Sequence, residues 1–533
     1  MKKYNKYIPV LTIMFFVIAA LMFSLYFNAS DPQDSQAASK KPDSSVPVNS
    51  AVENPMFDEV REKMIEMVRN GESPSLSVAV SKNGKIIWEE SFGWADREKM
   101  IPATSQTMYS VASSTKPMTS TGLMILKERG QICLSEPANT YIAPAKLTAY
   151  DCDASSATVK HLLTHTAGLP MHYKYYYEDE TYREPGMAES IRRYGILVQS
   201  PGEYFEYSNF GYGIIDYIIE QVSGKTFPDY MKNEVFLPLG MTHSSVHIDP
   251  ALEKYAATRY DEDNNPIPFY DFDHDGASAV FCSAPDLLRF GMFHMKDRLS
   301  YQMPILEDAS IDEMQNETDK DAAGWNEETD SGYALGWMIG EYNGYRTVSH
   351  NGGMPGVVSS LMLIPSENIA IVVVTNCLNF SAYGCPYEIA NMLLPEKKSG
   401  EKEVALQQSE PESEKPYEDM IGTWEGTIKT YESEIPITME FQEDGDVHVV
   451  MNRENPDDPV NLETILSNFN YDDGEMTGRF HGKVETGDTK MHPHNIHVNM
   501  KLKENRLAGY AMVYSITKKT HGGFPSYISL TKS

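Results

Sequence analysis

The sequence predicts an α+β domain over residues 56–395, followed by a small all-β domain over residues 417–533. Two hairpin patterns, one near each end of the first region, enclose segments of helical character, which favours one mixed domain. Beyond a polar segment at 396–416, apolar residues recur at every second position, as in strands. With 533 residues, 41% hydrophobic and 23% charged, the chain is long enough for both domains and is not wholly disordered.

The first hairpin pattern begins with apolar residues that alternate over residues 76–80. Asn83-Gly84 then turns the chain into a second apolar run, which is a strong hairpin signal. Downstream, two β-branched runs of strand length at 357–364 and 369–374 flank a polar turn. The apolar runs between these hairpins predict helices.

The C-terminal region shows period-two alternation over residues 424–428, 435–441, 447–449 and 496–502. This pattern predicts a small barrel or sandwich.

The N-terminus carries three lysines before a run without charge over residues 8–27. Twenty helical residues span about 30 Å, the thickness of one hydrocarbon core. A small-x-small cleavage pattern is missing, so residues 1–29 are interpreted as a membrane anchor, with a cleaved signal peptide as the alternative. Residues 30–55 are predicted to be a flexible stalk. Either interpretation places the remainder outside the cytoplasm, at the cell membrane or secreted.

The charge balance argues against nucleic acid as a partner. The sequence has 45 Lys and Arg against 76 Asp and Glu, a net charge of −31, which repels phosphate backbones.

Five cysteines are too few for a disulfide scaffold. Cys133 with Cys152, and Cys377 with Cys385, are close enough in sequence to pair, and five free thiols are the alternative. Cys282 is interpreted as a packed thiol.

Four S-x-x-K patterns occur, but only the one at Ser113 and Lys116 opens a predicted helix. One helical turn would place the Lys116 amine beside the Ser113 hydroxyl, and the positive end of the helix would help to keep that amine unprotonated. This arrangement predicts an activated nucleophile. The other three patterns lie in the linker or in strand-like segments, where positions three apart face opposite sides.

Two further elements accompany this serine. Tyr207 and Asn209 follow a Pro-Gly turn and would present a phenol and an amide at a cleft. His350 precedes Gly352 and Gly353 at the downstream hairpin, where glycines let a substrate approach the strand backbone.

The three elements S-x-x-K, Y-x-N and H-x-G, in this order, make residues 56–395 resemble the penicillin-recognising serine hydrolases. That family includes class C β-lactamases, D,D-carboxypeptidases, D-aminopeptidases and related esterases. The strings HLLTHTAGLP at 161–170 and APDLLRF at 284–290 are also similar to family landmarks. The resemblance implies an antiparallel sheet flanked by helices, an all-helical lobe, a site between them and no cofactor. The C-terminal strand pattern is similar to the lipocalin-like domains of some relatives.

The resemblance also implies catalytic roles. Ser113 would be the nucleophile that forms an acyl-enzyme, and Lys116 would be its base. Tyr207 would relay a proton to the leaving group and later activate water.

The remaining site residues would bind the substrate. Asn209 would hold its amide, and the backbone N–H groups of Ser113 and Gly353, with Gly352 in the same strand, would form the oxyanion hole. His350 would line the wall that faces a carboxylate or an acyl tail. A histidine is mostly neutral near pH 7, so it attracts an anion less than the lysine that many relatives have there.

We therefore expect an acyl-serine hydrolase outside the cytoplasm that acts on a small peptide or amide, plausibly a D-configured one. An esterase or a β-lactamase of the same family is the nearest alternative. A cell-surface binding module without turnover is an alternative of another class.

No metal site is predicted. His161 and His165 have the spacing of a zinc helix without the glutamate that follows the first histidine. Asp271, Asp273 and Asp275 start like a calcium loop but lack its final glutamate, so an acidic solvated loop is predicted. Irregular spacing predicts surface histidines in the C-terminal domain at His492, His494 and His497.

Overall fold

The structure is a computed structural model that describes residues 46–181, 184–316, 331–395, 418–451, 462–472, 474–517, 519 and 521–533. The predicted membrane segment at 8–27 and the predicted linker at 396–416 lie outside the described residues. Among the helices that are described, none combines the length and the apolar character needed to cross a bilayer.

The α-helices of the described residues all belong to the first domain. They are α1 (Asp58–Arg69), α2 (Thr115–Glu128), α3 (Val159–Leu163), α4 (Met187–Tyr194), α5 (Asn209–Ser223), α6 (Phe227–Met231), α7 (Asp275–Ser278), α8 (Ala284–His294), α9 (Asp308–Gln315) and α10 (Cys385–Leu393).

The strands of the first domain are β1 (Val48–Val52), β2 (Ser75–Lys82), β3 (Lys85–Asp96), β4 (Ile101–Pro102), β5 (Tyr109–Ser110), β6 (Thr148–Ala149), β7 (Tyr173–Tyr177), β8 (Ile196–Leu197), β9 (Ser244–Val246), β10 (Tyr270–Phe272), β11 (Val280–Cys282), β12 (Gly332–Tyr333), β13 (Met338–Tyr342), β14 (Tyr345–Met354), β15 (Val357–Ile364) and β16 (Ile369–Thr375). Those of the second domain are β17 (Gly422–Lys429), β18 (Glu434–Phe441), β19 (Val447–Met451), β20 (Leu462–Ile465), β21 (Ser467–Asp472), β22 (Glu475–His481), β23 (His494–Lys503), β24 (Arg506–Ser515) and β25 (Gly522–Lys532).

The central sheet has the order β1-β3-β2-β16-β15-β14-β13-β12, and every neighbouring pair is antiparallel. Both predicted hairpins form, as β2–β3 and β15–β16. In the first turn Asn83 and Gly84 have φ of 52° and 73°, the two positive values that a type I′ hairpin requires. The predicted antiparallel sheet is thus confirmed.

Helices cover both faces of the sheet, which explains why β2 and β16 are apolar throughout. Val78 and Val80 pack in the core formed with α1 and α10. Ala79, which points to the opposite face, packs in the larger core that contains residues of α2, α5 and α8. Because both faces of these strands are buried under helices, their sequences are hydrophobic in continuous runs rather than at every second position.

The prediction of a flexible stalk is wrong for part of its length. Within residues 30–55, strand β1 pairs with β3, with Val48 opposite Phe92. The side chains of β1 are mostly exposed, so this edge strand carries no hydrophobic pattern that would have revealed it.

The second domain is the predicted all-β unit, with the strand order β20-β19-β18-β17-β25-β24-β23-β22-β21. Its two terminal strands, β20 and β21, are separated in sequence by Leu466 alone. The ends of the sheet therefore meet, and the domain is a nearly closed barrel around buried residues such as Trp424 and Met439.

A backbone ladder joins the two domains. Gly522 and Gly523 of β25 pair with Lys174 and Tyr173 of β7. Beside this ladder, Lys174 of the first domain forms an ion pair of 2.5 Å with Asp488 of the barrel, and both side chains are less than 10% exposed. The barrel is therefore docked through backbone hydrogen bonds and a buried charge pair.

All five cysteines are free thiols, and neither suspected pair is bonded. Cys282 is fully buried with its sulfur 3.1 Å from the Ser244 hydroxyl, so it is the packed thiol that was predicted.

Candidate active site

The predicted nucleophile lies in a short 3-10 turn, Ala112–Ser114, that leads directly into α2. Ala112 has a φ of 45°, an uncommon conformation for a residue with a side chain. Ser113 is partly exposed, whereas Ala112 and Ser114 on either side of it are buried. The turn thus presents the Ser113 hydroxyl to the cleft at the positive end of a helix.

The side chain of Lys116 is fully buried one turn further along. Its Nζ lies 3.2 Å from Ser113 Oγ, 2.7 Å from Asn209 Oδ1 and 3.2 Å from the Ala277 carbonyl oxygen. Burial holds the pKa of Lys116 well below its usual value. A neutral amine has two N–H groups and one lone pair, so it can donate to the two carbonyl oxygens and accept the Ser113 proton. This is the geometry of a general base.

Tyr207 lies beside both residues. Its phenol interacts with the Ser113 side chain, and Lys116 Nζ is 4.7 Å from its ring centroid. Burial raises the pKa of Tyr207, against a smaller opposing effect of Ser113. The phenol is therefore neutral and can donate a proton.

Asn209 is the first residue of α5, which Ser208 caps by accepting the Gly211 N–H. Its Oδ1 accepts from Lys116, while its Nδ2 lies 3.7 Å from the sulfur of Met171, a weak acceptor. The amide group thus orients the base and keeps donor capacity for a substrate carbonyl.

His165 supports the segment that carries Tyr207. Its Nδ1 accepts the backbone N–H of Ser208 at 3.1 Å, and its carbonyl accepts that of Glu206 at 2.8 Å. The ring packs 4.3 Å from that of Tyr207, between centroids. Burial, with a smaller effect of Lys116, lowers the pKa of His165 well below its usual value. The histidine is thus a neutral support for the tyrosine loop.

His350 does not line the cleft as the resemblance implied. The residue is 1% exposed. Its Nδ1–H donates to the Asn351 carbonyl at 2.7 Å, and its Nε2 accepts the Tyr333 hydroxyl at 2.9 Å. Burial, with a smaller effect of Lys116, lowers the pKa of His350 to about 3. Being neutral and covered, it cannot attract a substrate anion; it fixes Tyr333 instead.

Gly352 brings strand β14 against the nucleophile. A Cβ atom on Gly352 would lie 2.2 Å from the Val111 carbonyl oxygen and 3.0 Å from Ser113 N. Tyr383 donates its hydroxyl to the Gly352 carbonyl at 2.7 Å, and a Cβ on Gly353 would lie 2.6 Å from the same hydroxyl. The close packing holds the strand that carries Gly353 beside Ser113, as an oxyanion hole requires.

Two serines fasten the nucleophile turn to the sheet. The Ser114 hydroxyl lies 3.1 Å from the His350 carbonyl and 2.8 Å from Ser359 Oγ, and Ser359 donates to the Val111 carbonyl at 2.6 Å. Sequence reasoning missed these serines together with Tyr333 and Tyr383. No local spacing signals these contacts, because each joins residues that are distant in sequence.

His161 and His165, which have the spacing of a zinc helix, form separate contacts. His161 accepts the Thr158 N–H in a capping box at the start of α3, whereas His165 turns toward Ser208. The two rings therefore have different partners, as expected for a structural segment.

The prediction of an acidic solvated loop is wrong for Asp273, which is buried. Asp273 is 4% exposed and lies 2.8 Å from ring nitrogens of both His172 and His274. Burial alone would raise the pKa of Asp273, but the two histidines hold it well below its usual range. Asp271 and Asp275 bind His247. Each of the three carboxylates is therefore in contact with at least one histidine.

The prediction that the histidines of the C-terminal domain lie at the surface is also wrong. His494 is buried and accepts the Val484 N–H with its Nε2, and the Nε2 of His497 is also buried. His492 lies next to His521 and Glu180, a cluster that the spacing of the histidines did not reveal.

The chain is similar to known proteins in sequence and in fold. A sequence model of the Beta-lactamase family matches residues 60–391. Protein flp of Staphylococcus aureus strain MRSA252 is 26% identical over 316 residues, which cover 58% of this chain and 60% of that protein. The chain thus spans about 60% of the length of the curated relatives it matches.

Two solved structures share the fold over most of the chain. The structure of SurE with D-Leu matches with a TM-score of 0.58 and 20% identity, covering 88% of this chain and 100% of that one. An octameric penicillin-binding protein homologue from Pyrococcus abyssi matches with a TM-score of 0.53 and 21% identity, covering 89% and 100%.

Proposed function

The chain belongs to the beta-lactamase family of serine hydrolases, and on this premise we propose that it hydrolyses an amide bond of a small D-configured peptide through an acyl-enzyme at Ser113. The observation that carries the proposal is the fully buried Lys116 amine, 3.2 Å from the Ser113 hydroxyl, with a pKa that burial holds well below its usual value.

Acylation follows from this contact. Ser113 Oγ attacks the substrate carbonyl carbon while its proton passes to Lys116 Nζ. The C=O double bond becomes a C–O⁻ single bond, whose charge the N–H groups of Ser113 and Gly353 receive. When the C–N bond breaks, Tyr207 protonates the departing amine and regains a proton from Lys116.

Deacylation reverses the roles. The attacking water gives a proton to the Tyr207 oxygen while the Tyr207 hydroxyl proton passes to Lys116, and the water oxygen bonds to the carbonyl carbon of the Ser113 ester. The ester bond then breaks, Ser113 recovers its proton, and the acid product leaves.

The substrate class is inferred from the charge of the site. A neutral, covered His350 supplies no cation for a substrate carboxylate, which favours a peptide recognised elsewhere than at a free C-terminus. SurE, which shares the fold, was solved with D-Leu, and this supports D-configured amino acids as the substrate class.

The lack of a cation at His350 also favours an esterase as the second candidate. An ester needs less help with leaving-group protonation than an amide, so an esterase would depend less on Tyr207. Hydrolysis of a nitrophenyl ester without hydrolysis of D-aminoacyl anilides would select this alternative.

The location is part of the proposal. We propose that the hydrolase acts outside the cytoplasm, anchored by residues 8–27. The uncharged run after three lysines supports this location.

The test is intact-protein mass spectrometry of the chain after incubation with a fluorophosphonate and, separately, with a penicillin. We expect a fluorophosphonate adduct that maps to Ser113 and is lost in Ser113→Ala. Ser529→Ala is the matched control, because Ser529 begins another S-x-x-K pattern in strand β25.

The adducts separate the alternatives. A lasting penicilloyl adduct would indicate a penicillin-binding peptidase, and consumption of penicillin would indicate a β-lactamase. The lack of any adduct on Ser113 would overturn the hydrolase proposal in favour of a binding module.

A further inference from the structure

Three metal-binding side chains converge where the two domains meet, away from Ser113. Glu180 follows β7 of the first domain, whereas His492 precedes β23 and His521 precedes β25 of the barrel. One ligand atom from each lies within 4.8 Å of the other two. Of the described residues, these are the ones that form such a group.

The rings of His492 and His521 are stacked, with centroids 3.6 Å apart and planes inclined by 20°. His521 Nε2 lies 2.8 Å from Glu180 Oε1. The His521 side chain is 8% exposed and that of Glu180 21%, so the group is largely covered but open to small solutes.

The proton positions at His521 follow from Thr517. The Thr517 hydroxyl has one proton and donates it to the Lys519 carbonyl at 2.6 Å. It must therefore accept at its other contact, 2.8 Å from His521 Nδ1, which places the imidazole proton on Nδ1. In the neutral ring the Nε2 lone pair then faces the Glu180 carboxylate.

Two acceptors at 2.8 Å need a cation between them. A metal ion bound by His521 Nε2 and the Glu180 carboxylate would supply this charge. The Thr517 contact is the outer hydrogen bond by which proteins orient a metal-binding histidine. Two imidazoles and a carboxylate are also the donors that zinc and similar divalent ions prefer.

We propose that Glu180, His492 and His521 bind one divalent transition-metal ion of the zinc class at the junction of the two domains. Three protein ligands leave a further coordination position for water. Because Glu180 and the two histidines come from different domains, the ion would hold the barrel to the hydrolase domain next to the β7–β25 ladder.

The test uses the full-length chain, purified without a histidine tag and stripped of metal with a chelator. Zn²⁺ is titrated by calorimetry, and the metal content after dialysis is measured by mass spectrometry. We expect one Zn²⁺ per chain and an increase of several degrees in melting temperature. His492→Ala and His521→Ala should abolish both effects, and Glu180→Gln should weaken binding.

The control is His481→Ala, which removes an exposed histidine of the same barrel and should leave zinc binding unchanged. Thr517→Val keeps all three ligands and should weaken binding by about 10- to 100-fold, as loss of an outer hydrogen bond does.

If the alanine variants do not fold, the visible spectrum of the wild-type chain with Co²⁺ still decides the matter. Intense bands of a four-coordinate site with nitrogen and oxygen ligands support the proposal. The proposal is overturned if the stripped chain takes up no Zn²⁺, if the variants bind it as well as the wild type, or if the Co²⁺ spectrum shows thiolate ligands, since exposed Cys133 would then hold the ion.

Discussion

Replacing Lys116 by methionine tests the central claim about the active site. The methionine side chain is close to that of lysine in length and is apolar. It can therefore occupy the same buried space while the base is removed. A positioned general base contributes about 10²–10⁴-fold to a rate, which corresponds to about 3–5 kcal/mol of barrier. We therefore expect kcat to fall by that factor, with a small change in KM.

The effect on folding should be much smaller than the effect on rate. Lys116→Met removes the donor from the Ala277 carbonyl, which is buried, and an unsatisfied buried acceptor costs about 1–3 kcal/mol. Against this, folding of the wild type has to bury the Lys116 amine, whose charged form burial disfavours, and Lys116→Met removes that cost. The two effects oppose each other, so the variant should remain folded at neutral pH.

The assay is steady-state hydrolysis of a nitrophenyl ester, together with the rate of fluorophosphonate labelling and a urea unfolding curve. Lys127→Met is the matched control, because Lys127 lies on the same helix but forms a surface ion pair with Glu313. A Lys116→Met enzyme that is folded and keeps activity within tenfold of the wild type would refute the assignment of Lys116 as the base.

Three further perturbations test the surroundings of the site. Gly352→Ala should lower activity by about 10²-fold or more, because its Cβ would collide with the Val111 carbonyl and shift Ser113, whereas Gly384→Ala, with its nearest atom 3.9 Å away, should keep wild-type rates. Tyr333→Phe should lower the free energy of unfolding by about 1–3 kcal/mol, since buried His350 Nε2 loses its donor; an unchanged urea midpoint would contradict this. Burial lowers the pKa of His247, but hydrogen bonds to Asp271 and Asp275 outweigh it and raise the pKa to about 11. Its contribution to stability is therefore complete below pH 6.5 and lost as the pH rises from there through about 11, so the melting temperature of the wild type should fall more steeply with pH than that of His247→Gln, and parallel curves would contradict the assignment.

The parts of the site that sequence could predict are those set by local geometry. One helical turn decides that Lys116 lies beside Ser113, and the backbone needs of Asn83-Gly84 decide where the first hairpin turns. Both are properties of a few consecutive residues, and each element of the central sheet that was predicted rests on such a pattern.

The parts that sequence could not predict depend on contacts between distant segments. Nothing near His350 shows that Tyr333 will cover it, and the exposed residues of β1 carry no hydrophobic pattern because the strand pairs with β3 mainly through the backbone. The grouping of Glu180 with His492 and His521 needs the docking of two domains, which no spacing within either one encodes.

The position of β2 beside β16 has a consequence for synthesis of the chain. Ser75 begins β2 and Thr375 ends β16. The pairing of β2 with β16 therefore cannot be completed until 375 minus 75, or about 300, further residues have been made. At roughly 5–20 residues per second, the ribosome needs roughly 15–60 s for this stretch. Throughout that time the growing polypeptide carries a hydrophobic hairpin with an unpaired edge, which can associate with a neighbouring nascent chain. The yield on expression should therefore depend on how long the edge of β2 stays unpaired during translation. A circular permutant that brings the coding regions for β16 and β2 together should aggregate less while it is being translated.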